Sequence, residues 1–117
     1  MEVDTALCAF GALSQGTRLE AFRLLVKHEP DGIAAGELAR LISVPQNTLS
    51  AHLNVLARAE LVTTERRSRS IIYRAQLDRL EQLALFLLRD CCGARADIRA
   101  EVLACVTRQL SGKPKGG

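Results

Sequence analysis

The sequence predicts a mainly α fold with one small β-hairpin, on three observations. Leu and Ala dominate the apolar residues while aromatics make up only 3%, a composition that favours helices over strands. Apolar residues recur at helical spacing on both sides of a short central stretch. That stretch, Leu61 to Ala75, ends in Ile71-Ile72-Tyr73, a run of high strand propensity.

Taken in order, a first helix is expected after Asp4 as N-cap, with Ala6, Leu7, Phe10 and Leu13 on one face. Ser14 is expected to cap a second helix through Thr17, Leu19, Phe22, Leu25 and Val26, which Pro30-Asp31-Gly32 ends. A short third helix, Gly36 to Ile42, turns Leu38, Leu41 and Ile42 inward. Ser43-Val44-Pro45 breaks it, and Pro45 suits the first turn of a fourth helix, where its missing N–H is not needed. That helix runs to about Ala59, with Leu49, Leu53, Val55 and Leu56 toward the core and His52, Asn54 and Arg58 largely opposite. Strands Leu61–Arg66 and Ser70–Ala75 then flank a tight basic tip, Arg67-Ser68-Arg69. A long helix from about Leu77 to Asp90 is apolar on more than one side, so a second cover is needed, expected from another subunit. Gly93 punctuates it. A last helix, Ala94 to Leu110, places Ile98, Val102, Val106 and Leu110 at i+4 spacing.

At 117 residues the chain has the size of one domain, taken as residues 1–110, with the tail 111–117 (SGKPKGG) expected to be disordered. So small a chain buries a modest core and gains from dimerisation. A net charge of +3 permits a nucleic-acid partner without requiring one. The acidic start, Met1-Glu2-Val3-Asp4, is unlike a signal peptide, and the longest apolar run, Leu83 to Leu88, is too short to span a bilayer. The expectation is a cytoplasmic protein with no membrane partner, whose Cys8, Cys91, Cys92 and Cys105 are thiols.

A short helix, a tight turn and a longer helix with a polar outer face make a helix-turn-helix candidate. The outward face of the fourth helix carries Gln46, Asn47, Thr48, Ser50 and His52, and it lacks the Lys/Glu pairs of a merely solvated face. Amides read adenine edges in a major groove, and hydroxyls reach phosphates or several bases. Arg66, Arg67 and Arg69 cluster where a wing meets phosphate or a minor groove. His52 also fits a purely structural role, and Tyr73 that of a half-buried strand aromatic. Together these features predict a winged helix-turn-helix that binds double-stranded DNA. No Ser-His-Asp set, paired catalytic carboxylates or phosphate-binding glycine loop is evident, so an enzyme is not expected.

Across Ala12 to Ala75 the sequence resembles the ArsR/SmtB metalloregulators. The pieces are Ala12-Leu13-Ser14, Thr17-Arg18-Leu19, Gly36-Glu37-Leu38-Ala39, the run Thr48 to Leu56, Ala59-Glu60-Leu61-Val62 and Ile72-Tyr73-Arg74. Two places depart from the family pattern: Glu60 stands where Gly is usual, and the wing tip has Ser68 and Ser70 without Gly. The resemblance implies a homodimeric repressor, joined through its N- and C-terminal helices, that leaves its operator when an inducer binds. It implies Thr48, Ser50 and His52 in the major groove, with Arg69 and Tyr73 anchoring the wing.

The family's Cys-Val-Cys arrangement in the reading helix is missing here. So is the C-terminal Asp/His zinc set, since Asp78 and Asp90 have no histidine nearby. The adjacent Cys91 and Cys92 resemble the Cys-Cys pair of arsenic-responsive members. Thiolates suit soft centres, so the implied inducer is trivalent arsenic or antimony: arsenite, methylarsenite or antimonite. The plainer alternative makes both cysteines small apolar fillers, although neighbours about 100° apart on a helix cannot face one core together. Cys105 is expected in the core beside Ile98 and Val102, and Cys8 reaches the pair only through tertiary or dimer contacts. Two other functions stay open: a thiol-redox-sensing repressor of the same fold, and a winged-helix module for protein contacts.

Overall fold

The computed structural model describes residues 1–91 and 95–111, the side chains of 90, 91 and 111 apart. The chain divides into two compact units, Met1–Leu83 and Ala84 onward.

The first unit holds helices α1 (Val3–Leu13), α2 (Gly16–Lys27), α3 (Ala35–Ile42) and α4 (Gln46–Arg58), with strands β1 (Ile33–Ala34), β2 (Val62–Arg67) and β3 (Ser70–Ala75). Its core is leucine-centred: Leu25, Leu38, Leu49, Leu53, Leu56 and Leu61 are all fully buried. Burying one such side chain is worth about 1.5–3 kcal/mol, so α4, which contributes three of them, is anchored along its whole length.

Of the face expected for α1, Ala6 is buried and Phe10 and Leu13 are half-buried, but Leu7 is not part of it. The helix buries Ala6, Ala9 and Ala12, while Leu7 stays 62% exposed and Val3 61%. Small side chains at i, i+3 spacing let neighbouring helices approach closely, and Val3 and Leu7 are left on the outside. The caps differ too. α1 starts at Val3 with Asp4 already in its first turn, where a carboxylate complements the helix dipole. Ser14 ends α1, its hydroxyl donating to the Gly11 carbonyl at 2.9 Å. Gln15 caps α2 by accepting from the Arg18 amide at 2.9 Å. In α3, Ala39 is buried beside Leu38, while Leu41, expected inside, is 40% exposed. Val55 and Ile42 are only half-buried.

The hairpin expected from sequence is part of a three-stranded antiparallel sheet in the order β1-β3-β2. β1 pairs Ile33 with Tyr73 and Ala34 with Ile72. Gly32 makes that pairing possible. Its φ of +76° is a glycine conformation, and a Cβ there would lie 2.7 Å from the Tyr73 carbonyl oxygen. Beside it the Arg74 guanidinium forks onto the Glu29 carboxylate at 3.0 and 3.4 Å, tying the end of α2 to the sheet.

α5 (Leu77–Leu85) follows the sheet and runs across the division between the units. The long regular helix expected as far as Asp90 stops at Leu85, and a π-helical segment, Phe86–Cys91, replaces its second half. α6 (Ala96–Ser111) follows the undescribed residues 92–94. Cys105, expected in the core, is exposed, and so are Ile98, Val102, Val106 and Leu110. The i+4 apolar stripe of α6 is real, but nothing described in this chain buries it.

Candidate nucleic-acid interface

The reading unit is built on the α3–turn–α4 corner. Ser43 sits in the left-handed region at φ 67°, and the amides of Ser43 and Val44 both donate to the Ala39 carbonyl, at 2.8 and 3.1 Å. Pro45 then occupies the N-cap position of α4 at φ −61°, and its carbonyl accepts from the Leu49 amide at 3.0 Å. With Leu49, Leu53 and Leu56 turned inward, helical spacing turns Asn47 and Thr48 away from the core, and both are exposed. Gln46 shares the leucine side but is exposed because it opens the helix. Ser50 is half-buried.

His52 is half-buried as well, and it is bound. Its Nδ1 lies 3.3 Å from Arg18 Nη1, while Arg18 Nε donates to the Ala12 carbonyl at 2.6 Å. Arg18 was not among the expected site residues. It stands 34 positions from His52, so no local pattern announces the contact.

α4 ends in a full Schellman motif, with the Glu60 amide on Ala57 O at 2.9 Å and the Leu61 amide on Leu56 O at 3.0 Å. Glu60 supplies the left-handed residue at φ 60°. The family's glycine position therefore keeps its glycine-like backbone with a glutamate in it, whose carboxylate meets Arg79 at 2.8 Å.

β2 and β3 are in register from Val62↔Ala75 to Arg67↔Ser70, which leaves Ser68-Arg69 as a two-residue tip. Such loops need a positive φ, and Ser68 takes it at 55°. Arg66, Arg67 and Arg69 are all exposed. Arg67 is engaged by Glu65 at 3.2 and 3.3 Å, and this hydrogen bond holds the Glu65 carboxyl below its ordinary range. Arg66 and Arg69 make no ion pair among the described residues. Arg69 and Gln46 line one open groove of about 320 Å3, together with Ala34 and Gly36. The fold thus brings the tip of the wing to the start of α4. Tyr73 is not at that tip. It lies mid-strand, half-buried between Ile33 and Thr64, four residues or roughly 13 Å from Arg69.

Of the expected thiol site, Cys91 closes the π-helical segment, its side chain undescribed, and Cys92 lies outside the described residues. Cys8 and Cys105 are free and exposed. Among the described residues no group of three or more His, Cys, Asp or Glu stands ready to hold a metal ion.

A helix-turn-helix corner followed by an antiparallel wing defines a winged helix-turn-helix protein, a class that binds duplex DNA. A family of helix-turn-helix domains matches residues 13–65. The chain is similar to an ArsR-like transcriptional regulator from Rhodococcus sp. RHA1, with 30% identity, 95% of this chain and 96% of that one covered, and a TM-score of 0.66. It is also similar to the transcriptional repressor BigR from Xylella fastidiosa, with 34% identity, 69% and 82% coverage and a TM-score of 0.57. A homodimeric winged helix-turn-helix DNA-binding domain from Mycobacterium bovis shares the fold at 22% identity, with 97% and 88% coverage and a TM-score of 0.61. No curated protein matches the chain. The chain belongs to the ArsR-like family of transcriptional regulators, which are not enzymes. No helix among the described residues is long and apolar enough to cross a membrane.

Proposed function

We propose that residues 1–110 act in the cytoplasm as one DNA-binding and dimerisation domain, a homodimeric repressor. It binds double-stranded operator DNA and releases it when Cys91 and Cys92 hold trivalent arsenic or antimony. The carrying observation is the groove shared by Gln46 and Arg69, which lets one duplex touch α4 and the wing together. Gln46, Asn47, Thr48, Ser50 and His52 read the major groove. Arg66, Arg67 and Arg69 take phosphates or the adjacent minor groove, and Tyr73 braces the wing from its base.

Homodimerisation is supported by the uncovered apolar faces of α1 and α6 and by the homodimer of the M. bovis domain. The repressor role is supported by BigR. The inducer class rests on donor chemistry: two adjacent thiols are a soft pair, and trivalent arsenic accepts two or three sulfurs. The pair also begins where a π-helical segment ends, a departure from α geometry common at functional sites. Half-sites one helical turn apart tolerate little change in the spacing of two reading helices. An inducer acts only through different affinities for the bound and released states.

The test is a titration of the dimer on its own promoter duplex with arsenite, methylarsenite, antimonite, cadmium, zinc and peroxide. Release by the arsenicals in wild type, lost in Cys91→Ser/Cys92→Ser, is expected; unchanged release in that variant sinks the site. The exposed thiols of Cys8 and Cys105 favour one second reading, a thiol-redox repressor. Release by peroxide at lower doses than by arsenicals selects it.

A further inference from the structure

The two histidines of the chain have partners that demand opposite ring protonation. His28 Nδ1 lies 2.8 Å from the Leu24 carbonyl oxygen. A carbonyl only accepts, so the proton sits on Nδ1. His52 Nδ1 faces Arg18 Nη1 at 3.3 Å. A guanidinium only donates, so this Nδ1 accepts and the neutral ring carries its proton on Nε2. That nitrogen has no protein partner among the described residues and is not one of their buried unpaired atoms. It is the free edge of the ring. Protonating both nitrogens would set two donors against each other across the Arg18 contact. Arg18 is itself held from behind by the Ala12 carbonyl at 2.6 Å, so it is a fixed strut from the α1–α2 corner to α4.

We propose that Arg18 is a positioning residue for α4: it fixes His52 as the Nε2–H tautomer, so that His52 meets the duplex as a hydrogen-bond donor and takes an acceptor atom, on a phosphate or on a base edge. The inference rests on α4 entering a DNA groove, but its first half is read without DNA. An Nε2–H donor suits a phosphate oxygen or the guanine O6/N7 edge and rejects the cytosine amino group. Arg18 thereby restricts what His52 accepts while touching no base itself.

Long-range proton–nitrogen NMR of the free wild-type protein, above the usual histidine titration range, should show His52 as Nε2–H and His28 as Nδ1–H. Arg18→Met should shift His52 toward a tautomer mixture, leave His28 unchanged and weaken operator binding about two- to tenfold, the worth of one hydrogen bond. Arg18→Lys keeps a donor and should retain the wild-type tautomer and most of the affinity. An Nδ1–H proton on wild-type His52 overturns the proposal, and so does a tautomer that Arg18→Met leaves unchanged. Operator variants tested with His52→Phe separate the two acceptors. A neutral donor displaces no counterion, so an equal loss on every sequence identifies a phosphate, and a loss confined to one base pair identifies a base edge. Failure of the wild-type dimer to bind any duplex rejects the DNA reading itself, and shows before any variant is made.

Discussion

α4 and α6 are both amphipathic helices of this chain, and they dispose of their apolar residues in opposite ways. α4 turns Leu49, Leu53 and Leu56 into a closed core and shows solvent a polar surface from Gln46 to Asn54. α6 carries Ile98, Val102, Leu103, Val106 and Leu110, and every one is exposed. α1 combines the two, with an alanine stripe inside and Val3 and Leu7 outside. The difference separates two tasks. The reader is complete within one chain, because a helix that positions side chains to a fraction of an ångström needs a rigid backing. The terminal helices leave apolar area uncovered among the described residues, the kind of patch that marks interfaces.

The largest effect is expected in the core beneath α4. Leu53→Ala removes a fully buried side chain and should cost about 2–5 kcal/mol, the range for buried leucines, read as a lower denaturant midpoint. A variant folded as stably as wild type would show that this core does not carry the unit. Next, Val102→Glu with Val106→Glu on α6 should leave the helical circular dichroism intact. It should raise the dimer dissociation constant more than tenfold, about 1.4 kcal/mol or more, by sedimentation. A variant that stays dimeric takes α6 out of the interface.

A smaller effect is expected at the wing. Arg69→Ala should weaken operator binding and lower the salt slope by about one. Arg67→Ala should do less, because Glu65 already engages Arg67. Equal losses would mean that DNA displaces Glu65 at no cost. The smallest effect is on pH. The Arg67 hydrogen bond holds the folded-state Glu65 carboxyl below its unfolded value. Its contribution is therefore present above the unfolded value and is lost as pH falls through the folded one. Thermal midpoints of wild type and Glu65→Gln should differ slightly at neutral pH and converge in acid. Midpoints that diverge in acid would reverse the sign.

Local spacing made much of this legible in the sequence. The leucines of α4, the break at Ser43-Val44-Pro45 and the β-branched run ending in Tyr73 depend on residues a turn or a strand apart, so the corner and wing could be placed from the residues alone. The polar face of α4 followed from the same periodicity, because burying one side of a helix exposes the other. Contacts between distant residues were not legible. Nothing near Ile33 marks a two-residue strand until Tyr73 pairs with it. Leu7 of α1 was expected on its packed face with Ala6, and only packing against neighbouring helices put Ala9 and Ala12 there instead. Cys105 lies on an apolar stripe that sequence assigns to a core, yet nothing described in the chain covers it. His52 could be read as a free ligand until Arg18 arrived from 34 residues away.

The sequence by itself determined where α1 to α4 and the β2–β3 hairpin form and which side of α4 is polar, since both depend on local periodicity. The tertiary structure decided which apolar faces close within one chain, that Gln46 and Arg69 share a groove, and which nitrogen of His52 remains free. Those outcomes depend on distances between residues far apart along the chain, and such distances exist only once the helices have packed.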